Sequence, residues 1–334
     1  MKEKSQLGQF YTKNNDKILK GMNIPKGVKI MEPFAGEGDL INDLKGYEIV
    51  SYDLHPKQDY IEKRDTLMDP PDYSGYFVLT NPPYLAKNKN KDKSIYEKYK
   101  VDDLYKCFIK CLVEIKCLGG MIIIPLNFLS STRKCDIDLR RSFMNAYYME
   151  MINIFEEQVF EDTKYTVCSI LFSQKKEEKT RICVYPSGKI FNVVFDESNK
   201  YMIGGEVLNL KKPTRNISRL TKENINSEGV TNIKIQCIDS NSGNMIKAVY
   251  VSDEERYVDN TIKLSSRTYM TLIIHPVIDI SEQKLLITKF NDYLNTNREK
   301  YNSLFLSNYR ESSDIARKRI SFDLVYRIIE DCLK

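Results

Sequence analysis

A short apolar run leads directly into two glycines at residues 28–38, VKIMEPFAGEG. The run has the length of a buried strand, and Gly36 and Gly38 allow the backbone to turn tightly where the strand ends. Backbone N–H groups in such a turn can approach a ligand closely, although a tight turn without a ligand is an equally good explanation of two glycines. Residues 28–38 therefore predict a strand, a glycine turn and the start of a helix.

Similar apolar runs follow at intervals that leave room for helices between them. They occur at residues 47–53, 76–80, 120–125, 149–155 and 167–172. Residues 102–115 carry apolar side chains at every third or fourth position, which is typical of one face of a helix. The alternation predicts an α/β fold over residues 1–175, with a parallel, Rossmann-like sheet flanked by helices.

The second half of the chain has a different pattern. Short β-like runs at residues 182–185, 190–195, 233–238 and 245–251 are separated by Asn, Ser and Gly, and a helical pattern begins at Ser281. Residues 176–334 therefore predict a separate domain of mixed α+β structure. Residues 211–334 hold 20 Lys and Arg against 16 Asp and Glu, within a net charge of +5 for the chain, which is a weak indication of a polyanionic partner.

The composition excludes several classes of protein. With 42% hydrophobic and 29% charged residues in 334, the chain has the composition of a folded soluble protein. It lacks the run of about 20 apolar residues that a membrane helix needs, so no membrane partner is expected. The first residues lack the apolar segment of a secretory signal, which predicts a cytoplasmic location.

Cysteine and histidine usage argues against a metal. The chain has only two histidines and eight cysteines without a Cys-x-x-Cys pair. Cys107 and Cys111 are four residues apart in the predicted helix and could share a metal, but reduced thiols in the core are the better interpretation. No metal site is expected.

Two acids follow the glycine turn at spacings that suit a nucleoside. Asp53 ends the second strand and is placed to accept hydrogen bonds from ribose hydroxyls, while Asp65 could accept from an adenine amino group. Taken singly, each is more often a solvated acid at a strand end.

The tetrapeptide Asn81-Pro82-Pro83-Tyr84 directly follows the strand at residues 76–80. Two prolines fix the backbone and cannot donate hydrogen bonds, so the Asn81 side-chain oxygen and the Pro82 carbonyl can both accept from one planar amino group. Two such acceptors direct the nitrogen lone pair at an electrophile, and Tyr84 offers a face on which a base can stack. The alternative is a simple Asn-Pro turn.

With these motifs in order, the sequence resembles the S-adenosylmethionine-dependent N6-adenine DNA methyltransferases of the amino-methyltransferase superfamily. Residues 8–12, 119–125 and 159–167 resemble further motifs of that family. The resemblance implies a Rossmann-like class I methyltransferase sheet. It implies S-adenosylmethionine contacts for Phe10, Tyr11, Thr12, Glu32, Pro33, Phe34, Ala35, Gly36, Gly38, Asp53, Leu54, Asp65, Thr66 and Asn81. It implies catalytic roles for Asn81, Pro82, Pro83, Tyr84 and Phe160, with Phe160 stacking on an extruded adenine.

The motif order is that of the gamma group, in which target recognition is C-terminal. Residues 1–175 would then be the catalytic, S-adenosylmethionine-binding domain and residues 176–334 the target-recognition domain. Double-stranded DNA is the implied partner, and a cognate restriction endonuclease acting on the same site is a second one. A solitary or viral methylase is also compatible with this order.

Basic and polar side chains in two regions are candidates for DNA contact. They are Lys87, Lys89 and Lys91 after the tetrapeptide, and Asn308, Tyr309, Arg310, Arg317, Lys318 and Arg319 near the C-terminus. A solvated loop and a charged helix end are the respective alternatives. Arg140 and Arg141 are predicted to form a surface pair.

The same motifs are also compatible with other functions. Related Asn-Pro-Pro-Tyr proteins methylate ribosomal RNA or protein glutamine, whose amide presents the same planar amino group. A nucleic-acid-binding module with a degenerate methyltransferase core is a non-enzymatic alternative, against which the intact Asn81, Asp53 and both glycines argue. Asp279 with Glu282 and Lys284 has a faint likeness to a nuclease site, but this spacing is common by chance.

Overall fold

The computed structural model describes residues 15–160, 165–239, 245–261, 265, 267–308 and 316–334. The chain divides into two compact units, Met1–Asp196 and Glu197–Lys334. The first unit therefore ends later than the domain boundary expected after residue 175.

The first unit is built on one nine-stranded sheet, in the order β3-β2-β1-β4-β5-β7-β6-β8-β9. Its strands are β1 (Lys29–Glu32), β2 (Ile49–Asp53), β3 (Glu62–Lys63), β4 (Tyr76–Thr80), β5 (Gly119–Pro125), β6 (Tyr148–Phe155), β7 (Val167–Ser173), β8 (Thr180–Tyr185) and β9 (Lys189–Val193). The first five are parallel, and β7 is antiparallel to both β5 and β6. The predicted Rossmann-like sheet is thus confirmed, as a mixed rather than a wholly parallel sheet, with every strand predicted for residues 1–175 present to within two residues at either end.

Strand β5 lies in the middle of this sheet because its sequence allows two close approaches. All seven of its residues are buried, and its two leading glycines leave no room for a side chain. A Cβ on Gly120 would collide with the backbone oxygen of Val78 in β4, and one on Gly119 with that of Phe172 in β7. Glycine is therefore required where β5 enters between its neighbours.

Strands β8 and β9 account for the later boundary. The sequence analysis assigned residues 182–185 and 190–195 to the second domain because a polar run precedes them. In the structure β8 pairs in parallel with β6, from Met151 opposite Arg181 to Phe155 opposite Tyr185, and β9 pairs with β8. Backbone hydrogen bonds therefore place both strands in the first sheet.

Among the described residues of this unit, the α-helices are α1 (Asn15–Ile18), α2 (Ser94–Tyr99), α3 (Leu104–Glu114), α4 (Asn127–Ser130) and α5 (Lys134–Ala146). Helix α3 matches the predicted apolar stripe, and its thiols Cys107 and Cys111 are buried. Arg140 of α5 is not part of a surface pair. It is fully buried and donates to the carbonyl oxygens of Phe128 at 2.8 Å and Ser131 at 2.9 Å, which satisfy its charge-bearing N–H groups.

The second unit has the predicted mixed α+β structure. An antiparallel sheet contains β10 (Asn216–Arg219), β11 (Val230–Gln236), β13 (Lys247–Tyr250) and β14 (Tyr269–His275), in the order β10-β14-β11-β13. A smaller sheet contains β12 (Ile238–Asp239), β15 (Ser307–Asn308) and β16 (Lys318–Arg319). Two helices complete the unit, α6 (Ile280–Tyr301) and α7 (Phe322–Cys332).

The two acids that resembled a nuclease site, Asp279 and Glu282, cap the start of helix α6. Asp279 is its N-cap and accepts from the backbone N–H of Glu282 at 2.8 Å, while the Glu282 carboxylate accepts from the N–H of Asp279 at 2.8 Å. This reciprocal capping box stabilises the start of the helix. Within the described ranges, no helix has both the length and the apolar character to cross a membrane.

Candidate functional site

The glycine turn, residues 33–38, leaves the carboxyl end of β1 and is held by hydrogen bonds to the neighbouring strand. Gly36 and Gly38 have φ angles of 57° and 87°, in the left-handed region that favours glycine. The N–H of Gly36 donates to Oδ2 of Asp53 at 2.9 Å, and the N–H of Ala35 donates to the carbonyl of Tyr52 at 2.8 Å. The end of β2 therefore determines where the turn lies.

Asp53 is placed to organise this turn. Its side chain is only 4% exposed, and Oδ1 accepts from the N–H of His55 at 2.7 Å while Oδ2 accepts from Gly36. Hydrogen bonds to a charged acceptor are stronger than neutral ones. Each carboxylate oxygen can accept more than one hydrogen bond. Asp53 could therefore accept the predicted hydrogen bonds from ribose in addition to those from Gly36 and His55.

Glu32 is buried beneath the turn. Burial raises the pKa of its carboxyl group from 4.5 to about 8. One oxygen, Oε1, accepts from the Thr80 hydroxyl and from the N–H of Phe34, whereas Oε2 has no partner among the described residues. The carboxyl group thus links the ends of β1 and β4, directly before the glycine turn and the tetrapeptide.

A second loop, residues 64–69, closes the next side of the site. The Thr66 hydroxyl donates to the carbonyl of Pro33 at 2.9 Å, which fixes this loop against the glycine turn. Asp65 accepts from the N–H groups of Leu67 at 3.2 Å and Met68 at 3.0 Å through Oδ1. Two loops from different strands therefore meet at the carboxyl edge of the sheet, where open α/β sheets bind ligands.

These loops and the tetrapeptide enclose a cavity of about 420 Å³. Its wall contains the predicted residues Phe34, Ala35, Gly36, Leu54, Asp65, Thr66, Asn81 and Pro83. It also contains Asp39, Leu40, Arg64, Leu67, Met68, Leu85, Asn90, Asp92, Ser94, Ile95 and Leu104, which the sequence analysis did not assign to a site. The cofactor motifs and the proposed catalytic motif thus share one cavity, although Gly36 and Asn81 are 45 positions apart in the sequence.

The residues present fit S-adenosylmethionine, the group that the resemblance implies. The cavity volume lies in the range of small-ligand sites, and most of the exposed surface of its wall is apolar. Phe34, Leu67 and Leu104 offer apolar surface for a purine, and Asp65 offers a carboxylate. Asp39, Asp65 and Asp92 outnumber the single cation Arg64 on this wall, which suits a ligand that carries a positive sulfonium.

The tetrapeptide has an internal hydrogen bond that orients its asparagine. The Tyr84 hydroxyl lies within hydrogen-bond distance of Oδ1 of Asn81 and 2.7 Å from the carbonyl oxygen of Ile123. The ring of Tyr84 is 3% exposed and meets Tyr105 and Tyr165 edge-on, at centroid distances of 6.2 and 6.0 Å. In this arrangement the Tyr84 hydroxyl positions the Asn81 side chain, and neither face of the Tyr84 ring is exposed for a base to stack on.

Several predicted residues do not form part of the cavity wall. They are Glu32, Pro33, Gly38, Asp53, Pro82, Tyr84 and Phe160. The Phe160 ring is 2% exposed, so the structure without DNA does not offer it to a base. The stacking of Tyr84 and Phe160 on adenine stays a prediction, and it requires the segment that carries Phe160 to open.

The predicted DNA contacts are distributed unevenly. Lys89 and Lys91 are exposed beside the cavity, and Lys87 is half-buried with an ion pair to Glu97 at 3.6 Å. Lys318 is only 5% exposed, whereas Arg317 and Arg319 are half-buried, and their contacts with DNA stay a prediction. Asn308 lies in β15, and Phe10, Tyr11, Thr12, Tyr309 and Arg310 lie outside the described residues.

One acid next to the residues that follow the tetrapeptide was not predicted from the sequence. Asp103, directly before α3, faces the backbone N–H groups of Leu85 and Tyr105, and burial raises its pKa to about 7. Its neighbour Leu104 is on the cavity wall. Asp103 lies at the start of the helical pattern of residues 102–115, so the beginning of the helix could be predicted from the sequence. A helix start does not by itself show which side chains face a cavity.

Comparisons with known proteins agree with the motifs. Residues 41–160 match the family model described as Eco57I restriction-modification methylase. The Type II methyltransferases M.HincII and M.HindII of Haemophilus influenzae are each 31% identical over 180 residues. The match covers 46% of this chain and 34% and 33% of those proteins, so the chain spans about a third of the length of the curated relatives it matches.

Solved structures show a distant likeness as well. The modification subunit of a putative type I restriction enzyme from Vibrio vulnificus YJ016 is 14% identical, with a TM-score of 0.43 and coverage of 55% of this chain and 48% of that chain. A type I methyltransferase subunit from Streptococcus thermophilus is 14% identical, with a TM-score of 0.41 and coverage of 61% and 52%. From the family model and the two curated relatives, the resemblance seen in the motifs is confirmed: the matched part of this chain is similar to S-adenosylmethionine-dependent DNA methyltransferases of restriction–modification systems.

Proposed function

We propose that this protein transfers a methyl group from S-adenosylmethionine to N6 of adenine in duplex DNA. The observation that supports this most strongly is the shared cavity, in which the glycine turn, Asp65 and Asn81 line one wall. A cofactor loop and an amino-group acceptor in one cavity provide the proximity that methyl transfer requires.

The cofactor, when bound, supplies an electrophilic methyl group. Asn81 and the Pro82 carbonyl accept hydrogen bonds from the target amino group, and the Tyr84 hydroxyl keeps the Asn81 side chain in place. The amino nitrogen forms a bond to the methyl carbon as the carbon–sulfur bond breaks, and the nitrogen then loses one proton to solvent. No general base is required for this order of steps.

The adenine must leave the duplex to reach this cavity, because N6 is paired inside the helix. Extrusion costs a few kcal/mol, and stacking on aromatic rings returns about 1–3 kcal/mol per base. We propose that Phe160 provides this stacking together with Tyr84, and that the second unit recognises the target sequence through residues that include Arg317 and Arg319. A DNA substrate implies action inside the cell, alone or beside a restriction endonuclease of the same specificity.

The experiment is methylation of DNA that lacks modified bases. The protein is incubated with S-adenosylmethionine and such DNA, and the nucleosides are separated by mass spectrometry. We expect N6-methyladenine, and far less of it in the same time with the variant Asn81→Ala. N4-methylcytosine in its place would contradict the choice of base, and methylation only of ribosomal RNA or of protein glutamine, supplied in parallel, would contradict the choice of DNA.

A further inference from the structure

Residues 86–95, which follow the tetrapeptide, present two kinds of side chain in alternation. Lysines occupy positions 87, 89, 91 and 93, and none of these is on the cavity wall that the described residues form. Asn90, Asp92 and Ser94 alternate with them and are on that wall, as is Ile95. Residues 87–89 form a single 3-10 turn, and the backbone at Ala86 and Asn90, on either side of that turn, is extended.

Hydrogen bonds attach the start and the middle of this segment to residues on or next to the cavity wall. At its start, the N–H of Lys87 donates to the carbonyl of Asp102 at 2.8 Å, and Ala86 forms a β-bridge with Asp103. In its middle, the side-chain amide of Asn90 donates to the Tyr96 hydroxyl at 3.2 Å, and that hydroxyl donates to the carbonyl of Leu85 at 2.9 Å.

Beyond its end, helix α2 is bound to the opposite wall. The Lys98 ammonium group donates to the carbonyls of Leu67 at 3.0 Å and Met68 at 2.8 Å, and the Tyr99 hydroxyl donates to that of Leu67 at 2.8 Å. Leu67, Met68 and Leu85 all line the cavity. Residues 86–95 therefore cannot shift without moving the walls on both sides.

The outer side of the segment is available to an anion. Lys89, Lys91 and Lys93 are exposed and have no ion-pair partner in the part of the chain that the structure describes. Closely spaced, unpaired lysines bind successive phosphates, and such contacts fix the position of a protein on a duplex.

We propose that residues 86–95 bind both ligands at once, the cofactor through Asn90 and Asp92 on the inner side and DNA phosphates through Lys89 and Lys91 on the outer side, so that each ligand raises the affinity for the other. The proposal rests on the proposed function. Its physical basis is that one segment contacts both ligands, so the position of the segment that either ligand favours is the position that the other ligand meets. The effect must be reciprocal, since the cofactor changes the affinity for DNA by the same factor as DNA changes the affinity for the cofactor.

The test measures this factor with S-adenosylhomocysteine, which occupies the cofactor site without reacting. Calorimetry gives its dissociation constant with and without a saturating short duplex that contains the methylated sequence. We expect DNA to lower the constant by a factor within the usual range of such couplings, about 5- to 150-fold. A factor of one, with both ligands bound, would overturn the inference and leave the proposed function intact. Failure of S-adenosylhomocysteine to bind at all would contradict the proposed function itself.

Variants localise the coupling. Lys89→Gln with Lys91→Gln should leave the affinity for S-adenosylhomocysteine without DNA within about twofold of the natural protein, and should bring the coupling factor close to one. Lys26→Gln with Lys45→Gln, exposed lysines elsewhere in the same unit, removes the same charge and should keep the coupling. Asn90→Ala should weaken S-adenosylhomocysteine binding in the absence of DNA. Coupling that survives in the first double variant, or that is lost equally in the control, would refute the role of this segment.

Discussion

The hydrogen bonds of Asp53 make the substitution Asp53→Asn a quantitative test of how the cofactor turn is held. In the variant one carboxylate oxygen becomes an amide NH₂ that faces a backbone N–H, either that of Gly36 or that of His55. The lost hydrogen bond to a charged group is worth about 1.5–3 kcal/mol, and the facing donor at this buried site adds a desolvation cost of similar size. Because some relaxation is expected, we predict a loss of about 2–4 kcal/mol in the free energy of unfolding.

The same substitution should weaken cofactor binding, since Gly36 is on the cavity wall. We expect the affinity for S-adenosylhomocysteine to fall about 10- to 100-fold, which corresponds to about 1.4–2.8 kcal/mol. Urea denaturation measures the first quantity and calorimetry the second. Asp59→Asn is the matched control, because Asp59 is an exposed acid on the same connection and loses the same charge.

Two results would refute this reasoning in different ways. Stability that falls while cofactor affinity is unchanged would show that Asp53 only shapes the turn and that the ribose lies elsewhere. Stability and affinity that both equal those of Asp59→Asn would show that the two hydrogen bonds do not hold the turn in solution.

Three further predictions concern chemistry, base extrusion and pH. Asn81→Ala should keep the fold and cofactor affinity but lower turnover by about 10²–10³, the cost of losing a polar group in a closed site; near-normal turnover would contradict the mechanism. Phe160→Ala should raise the fluorescence of 2-aminopurine at the target position in the complex and slow methylation of duplexes more than of mismatched DNA, whereas unaltered emission with equal slowing would assign Phe160 to the core. Glu32 has a folded-state pKa of about 8 against an ordinary 4.5, so its contribution to stability is fully present below pH 4.5 and is lost as the pH rises through 8. Glu32→Gln should therefore remove part of the decline in unfolding free energy between those pH values, and denaturation curves of equal pH slope for both proteins would contradict this.

Much of the fold and of the candidate site followed from local patterns. The glycine turn and Asn81 each directly follow a buried strand, and parallel strands end at a common edge, so residues far apart in sequence could be expected to meet. The identity of these groups is also local, because Asn-Pro-Pro-Tyr and a strand-end aspartate are recognisable without knowing what packs against them. Both are on or next to the cavity that the structure contains.

The remaining features depend on contacts between distant segments. The polar run before residue 180 resembled a domain boundary, yet β8 pairs with β6 and extends the first sheet. The charge of Arg140 predicted exposure, but two main-chain carbonyls satisfy the guanidinium in the interior. Asn90, Asp92 and Leu104 line the cavity only because α2 and the loop before α3 lie beside it. The sequence by itself determined which elements form and which chemical groups they carry, because strand and turn preferences are local. Only the tertiary structure decided which sides of those elements are covered, because burial depends on surfaces that the chain brings together from far apart.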